Sequence, residues 1–152
     1  ACKVHHVPVI VDPKGTNWMK YAGADYITPN LKEINAVLPD PIRNEDQPVE
    51  TAARSVMKKY QLGSLIVTRS EAGLSLICEG EIKHIPTKAQ EVFDVSGAGD
   101  TVIAVFAMGI AGGIAPVASA YLANLAAGVV VAKLGTYAVS REELLKALEK
   151  EK

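Results

Sequence analysis

Residues 101–132 carry no charged side chain, and that run fixes what most of the chain's second half can become. A stretch of this length could cross a bilayer. Gly112, Gly113 and Pro116 interrupt it, however, and Ser119, Tyr121, Asn124 and many alanines dilute its hydropathy. The pattern therefore predicts two buried core helices, over Ala98–Ala111 and residues 115–133, and no membrane span. Just ahead of it the chain reads Asp94-Val-Ser-Gly-Ala-Gly-Asp-Thr101. Two glycines, unbonded first-turn N–H groups and the positive end of a helix dipole favour an anion there. Asp100 would repel phosphate in a simple cradle. Its carboxylate makes sense as a base taking the proton from a hydroxyl that attacks phosphorus, in a pocket able to admit a triphosphate. Helix capping alone does not need both acids, both glycines and this spacing.

At 152 residues the chain is one domain's worth and can bury a substantial core. A net charge of −1 with no basic block points away from nucleic acid and from anionic membrane surfaces. Cys2 and Cys78 lie far apart without metal-type spacing, which favours reduced thiols in a cytoplasmic protein over a disulfide. His5 and His6 are adjacent and cannot share a helix face, and His84 stands alone, so none is assigned to a metal. No signal-peptide pattern opens the chain, and a strand so soon after Ala1 reads as a piece of something longer.

Apolar residues 7–12 suit a buried parallel strand, followed by a turn at Asp12-Pro-Lys-Gly15. A helical turn is expected at residues 17–21, a brief strand at Tyr26–Ile27 and a helix at residues 31–38. Residues 39–48 hold three prolines and several charges and read as a surface loop. A helix over residues 48–60 leads to a strand at Ser64–Thr68, then to an antiparallel pair at residues 73–78 and Glu81–Ile85. Residues 86–93 connect to the glycine motif, and Ser140 with Glu143 forms a capping box for a final amphipathic helix. The alternation predicts an α/β fold, a mostly parallel sheet flanked by helices with an antiparallel hairpin at one side. Ligands gather at strand carboxyl ends in such sheets, so Asp12, residues 28–30 and residues 68–70 are expected to line a crevice with residues 94–100.

The Asp94–Thr101 motif resembles the C-terminal signature of ribokinase-like (PfkB-type) carbohydrate kinases, and the resemblance runs over nearly the whole chain in order. Asn30-Leu-Lys-Glu33 is similar to that family's Asn-x-x-Glu element, Val67-Thr-Arg-Ser-Glu-Ala-Gly73 to its Thr-rich nucleotide loop, and residues 124–135 to the helix and turn over adenine. Within the family, residues 11–16, 27–33, 67–73 and 134–140 look most like the heptose 7-phosphate kinases. Those enzymes phosphorylate the anomeric hydroxyl of D-glycero-D-manno-heptose 7-phosphate for ADP-heptose synthesis, a lipopolysaccharide precursor, and many are fused to a nucleotidyltransferase. The resemblance implies that these 152 residues are the C-terminal, nucleotide-binding part of the kinase domain, with the N-terminal sugar pocket and lid expected outside them.

Carried onto this sequence, the resemblance implies Asp100 as general base and Gly97, Ala98 and Gly99 as the backbone anion hole. It implies ATP at Thr68, Ser70, Gly73 and Asn124, and hydrated Mg²⁺ positioned by Asn30 and Glu33. Asp94 and Ser96, with carbonyls near Val130, Lys133 and Gly135, match a monovalent-cation (K⁺) site. On the residues alone, Glu33 could equally be a solvated helix charge, Thr68–Gly73 a structural strand end, and Asn124 a cap on a neighbouring loop. Lys14 and Arg69 stay undecided between phosphate contact and a plain structural place. The implied partners are ATP and a sugar phosphate, and exposed apolar sheet surface on such a piece favours self-association into a homo-oligomer. Competing readings are a nucleotide-binding module without catalysis, a kinase for another sugar, and a dinucleotide oxidoreductase. The last is disfavoured, because no first βα turn carries the expected glycine fingerprint.

Overall fold

A computed structural model describes residues 2–87 and 92–151. Residues 88–91 of the connector ahead of the glycine motif lie outside the described residues. The chain divides into two compact units, Ala1–Ile85 and Pro86–Lys152.

The first unit is a five-stranded mixed sheet with its strands in sequence order: β1 (Ile10–Val11), β2 (Tyr26–Ile27), β3 (Ser64–Thr68), β4 (Leu74–Cys78) and β5 (Glu81–Ile85). β1, β2 and β3 run parallel, with Val11 beside Ile27 and Ile27 beside Leu65. β3–β4 and β4–β5 are antiparallel, which is the expected hairpin. β1 is shorter than residues 7–12. Pro8 has no N–H to give, and the Val9 N–H donates to the Asp25 side chain at 2.7 Å instead of to a strand.

Helix α1 covers only Leu31–Asn35, not residues 31–38. Beyond it the N–H groups of Val37 and Leu38 reach back just three residues, and the Asn35 side chain accepts from Ile42 N–H at 2.9 Å, pulling the chain away from the helix axis. Helix α2 (Asp46–Tyr60) starts two residues earlier than residue 48. Pro48 then falls in its first turn, where a missing N–H costs nothing. Val49, Ala52, Ala53, Val56 and Tyr60 follow helical spacing and are the buried face of α2. They join Trp18, Ile27, Ile34, Leu65, Val67 and Ile77 in one core. Trp18, in the 3₁₀ turn Trp18–Tyr21, is fully buried with its indole N–H on the Gly15 carbonyl at 2.8 Å.

The second unit holds α3 (Ala98–Ala111), α4 (Pro116–Val131) and α5 (Arg141–Glu149). α3 and α4 are the expected pair, and Pro116 at the first position of α4 marks its start. α3 buries one face rather than its whole circumference, with Val102, Val105, Phe106 and Gly109 inward and Met108 65% exposed, whereas no residue of α4 from Ser119 to Val131 is exposed. A Cβ on Gly109 would collide with the Ser119 side chain, so this glycine sets how closely the two helices approach. α5 begins with the predicted capping box of Ser140 and Glu143. Glu143 also takes the Tyr137 hydroxyl at 2.8 Å and Lys133 at 3.2 Å, tying the turn after α4 to α5. No helix among the described residues is long and apolar enough to cross a membrane.

Candidate active site

In the first unit the parallel pairing brings three strand ends together. Thr28 N–H donates to the Val11 carbonyl and Thr68 N–H to the Pro29 carbonyl, both at 2.9 Å, and Asn30 pairs with Thr68. Asp12, residues 28–30 and Thr68 thus share one rim. Asn30 opens α1: its side chain accepts from Glu33 N–H at 2.8 Å, and the Glu33 carboxylate accepts from Asn30 N–H at 2.8 Å. This is a capping box with the same spacing as Ser140 and Glu143, and it could have been read from the sequence. The other Glu33 oxygen lies 3.3 Å from the Lys14 ammonium, which also meets Asp12 at 2.9 Å. Lys14 is exposed and bonded to Asp12 first and Glu33 second, and its pKa is raised accordingly. Glu33 is therefore neither a free solvated charge nor an open pair of metal-ligand oxygens.

The turn after β3 is closed by its own backbone: Arg69 N–H donates to the Gly73 carbonyl at 2.7 Å and Gly73 N–H to the Ser70 carbonyl at 3.0 Å. Ser70 sits at φ 53° and Gly73 at φ 80°, ψ −125°, the latter a region only glycine adopts without strain. Ser70 is exposed, whereas Gly73 is buried. Arg69, undecided in the sequence, points inward at 3% exposure and is not on the rim. Its partners Asn44, Asp46, Ser75 and His84 were not singled out from the sequence. One signal was available: period-two alternation along β5 puts His84 on the same face as Ile82. The Arg69 guanidinium bonded to Asp46 holds that carboxyl below its ordinary range, with His84 adding to the effect.

In the second unit Gly97 caps α3 at φ 79° with no side-chain cap. Ala98 N–H is engaged by the Val95 carbonyl at 3.3 Å, and Thr101 N–H and hydroxyl both return to the Gly97 carbonyl. Among the described residues, the N–H groups of Gly97, Gly99 and Asp100 have no acceptor. Of the three N–H groups expected to form the anion hole, those of Gly97 and Gly99 are unengaged among the described residues, whereas that of Ala98 is spent on a turn. Gly99 has ordinary helical φ, and nothing lies within 4 Å of where its Cβ would be. The fold gives no reason for glycine at that position. The Asp100 side chain has no partner among the described residues and is exposed, not recessed in a pocket as the sequence reading expected. Asp100 is the third residue of α3, away from the face that Val102, Val105, Phe106 and Gly109 bury.

Asp94 accepts from Ser96 N–H at 2.8 Å and from Gly135 N–H at 3.2 Å, so it joins the two turns flanking α3 and α4. Ser96 first and Gly135 after it hold the Asp94 carboxyl below its usual range. The Val130 carbonyl already accepts from Ala132 and Lys133. Asn124, expected at the adenine edge, is buried at 7% exposure and donates to the Pro86 carbonyl at 2.9 Å. Its geometry is that of a loop tie, because an amide at this depth needs a fixed partner.

A family model for the pfkB family of carbohydrate kinases matches residues 1–143, and the chain belongs to that family. It is 50% identical over 147 residues to the bifunctional protein HldE of Trichlorobacter lovleyi, covering 96% of this chain and 30% of that protein. HldE of Geobacter sulfurreducens is 48% identical over 143 residues, covering 93% and 29%. Among solved structures, ribokinase of Thermotoga maritima superposes with a TM-score of 0.85 at 30% identity, covering 97% of this chain and 51% of that one. Ribokinase of Arabidopsis thaliana, complexed with ribose and ATP, gives 0.85 at 25% identity, covering 97% and 49%. The fold is ribokinase-like, and the chain spans less than a third of the HldE proteins it matches.

Proposed function

We propose that this chain carries the nucleotide and phosphoryl-transfer end of an ATP-dependent sugar kinase. Gly99 supports the reading best. It has helical φ, empty space over its Cα, an N–H without an acceptor among the described residues, and the exposed carboxylate of Asp100 beside it. A glycine that the fold does not need is explained by a ligand that must come close to the backbone.

In this reading the acceptor hydroxyl attacks the γ-phosphorus of ATP in line. The new oxygen–phosphorus bond forms as the bond to ADP breaks, and the hydroxyl proton passes to the Asp100 carboxylate and then to water. The N–H groups of Gly97, Gly99 and Asp100 hold the charge on the transferring group. Thr68, Ser70 and Gly73 are assigned to the ATP phosphates and ribose. Bound Mg²⁺ would neutralise phosphate charge. It keeps most of its waters, so the Lys14-side oxygen of Glu33 suits a water-mediated contact, and Asn30 contributes by fixing Glu33. A monovalent cation suits Asp94, whose two bonded oxygens retain lone pairs, with the carbonyls of Lys133 and Gly135. The acceptor is D-glycero-D-manno-heptose 7-phosphate, on the wording of residues 11–16, 27–33, 67–73 and 134–140, and ATP supply puts the reaction in the cytoplasm.

The test is Asp100→Asn in the longest protein carrying this sequence, assayed for heptose 7-phosphate-dependent ADP release. Turnover is expected to fall by about 10²–10⁴ with ATP affinity unchanged. An active Asn variant removes Asp100 from its role. The 152-residue chain by itself should bind ATP. Binding without turnover there would favour the module reading for this stretch of chain.

A further inference from the structure

Arg69 is a full charge at 3% exposure, lying directly between β3 and Ser70. A charge so buried is tolerated only when it is paired and hydrogen-bonded, and side chains from the 39–48 loop, α2, β4 and β5 provide for it. Its Nε donates to Asn44 Oδ1 at 2.9 Å, and Nη1 donates to Asp46 Oδ1 at 2.6 Å and to Ser75 Oγ at 2.9 Å. Ser75 faces His84 directly across the hairpin, with its hydroxyl 2.8 Å from Nδ1.

Asn44 grips the chain on both sides of Ser70. Its Nδ2 donates to the Arg69 carbonyl at 3.0 Å and to the Glu71 carboxylate at 3.3 Å. Between those two holds, Ser70 adopts φ 53°, a left-handed conformation that few residues other than glycine occupy. Such a conformation persists only where its surroundings over-determine it. Asn44 and Arg69 add to the turn's own backbone bonds: one side chain holds the carbonyl before the strained residue and the carboxylate after it, and the other anchors that clamp to α2 and the hairpin.

We infer that Asn44 and Arg69 are positioning residues, which hold the turn at residues 69–73 in the conformation that presents exposed Ser70 to the phosphates of a nucleotide. Neither side chain touches the nucleotide. The inference rests on the reading of this turn as the nucleotide loop. It also gives the proline-rich 39–48 loop, plain surface by composition, a task in the site.

Asn44→Ala leaves Arg69 bonded to Asp46 and Ser75, which keeps the buried charge paired. Titration calorimetry of ATP and of adenosine into the 152-residue chain and this variant separates positioning from a merely structural role. ATP affinity should fall about tenfold, the value of one charge-assisted hydrogen bond, while adenosine affinity stays within about twofold. Equal losses for the two ligands, or ATP affinity like that of the wild type, overturn the inference. Arg69→Lys keeps the charge but not the fork that reaches Asn44, so it should reproduce the phosphate-specific loss. It carries the test if Asn44→Ala does not fold. A wild-type chain without ATP binding overturns the nucleotide reading and this inference together, whereas wild-type binding with an indifferent Asn44→Ala variant overturns this inference alone.

Discussion

Alanine placed at Gly97 and at Gly99 should move stability in opposite directions, although the positions are two residues apart. Space does not distinguish them: a Cβ at Gly97 meets only Thr136 Cγ2, at 3.9 Å, and a Cβ at Gly99 meets nothing within 4 Å. Backbone conformation does. Gly97 sits at φ 79°, where an L side chain costs about 1–2 kcal/mol. Gly99 has helical φ in the first turn of α3, so alanine there should gain about 0.5 kcal/mol, much of it by restricting the unfolded chain. The difference between the variants is about 2 kcal/mol, which corresponds to roughly 4–8 °C in midpoint for a chain of this size. Urea and thermal unfolding of the 152-residue chain would measure it. Function should not follow stability. On the proposed reading, Gly99→Ala in the longest protein carrying this sequence puts a methyl where the transferring group would approach, and ADP release should drop about 10²-fold, the scale of one lost anion-hole donor. A Gly99→Ala variant that is both more stable and fully active would refute the argument that a ligand explains this glycine.

Acid should loosen α5. The Ser140 N–H first, then the Tyr137 hydroxyl and Lys133, lower the Glu143 pKa from 4.5 to about 2. Because the folded-state value is the lower one, this cap contributes fully above about pH 4.5 and is lost as the pH falls towards 2. Amide exchange in α5 followed by NMR over that range should show protection declining in the wild type and a flat, lower profile in Glu143→Gln; a flat wild-type profile would contradict it. In the α3–α4 pair, Gly109→Val forces a side chain into Ser119 and should cost about 2–3 kcal/mol by urea unfolding. A cost near zero would mean that the two helices can separate without penalty.

Local chemistry was legible in the chain because it depends on neighbours in sequence. The two uncharged helices, the break at Pro116, the hairpin, the capping box of α5 and the glycine turn ahead of α3 all follow from spacing and backbone preference over a few residues. The same spacing rule contained the Asn30–Glu33 box, masked by its likeness to a metal element. Element ends were less readable. β1 is cut short by a side-chain bond from Asp25, and α1 by the return of the 36–42 segment onto Asn35, contacts that no local pattern states. Only the tertiary structure decided which polar side chains are spent on the fold. It turned Arg69 inward, tied Asn124 to Pro86, placed Lys14 between two carboxylates and left Asp100 exposed, without a partner among the described residues. The physical reason is that a residue's type sets which hydrogen bonds it can make, whereas its partner is set by whatever distant segment packs against it.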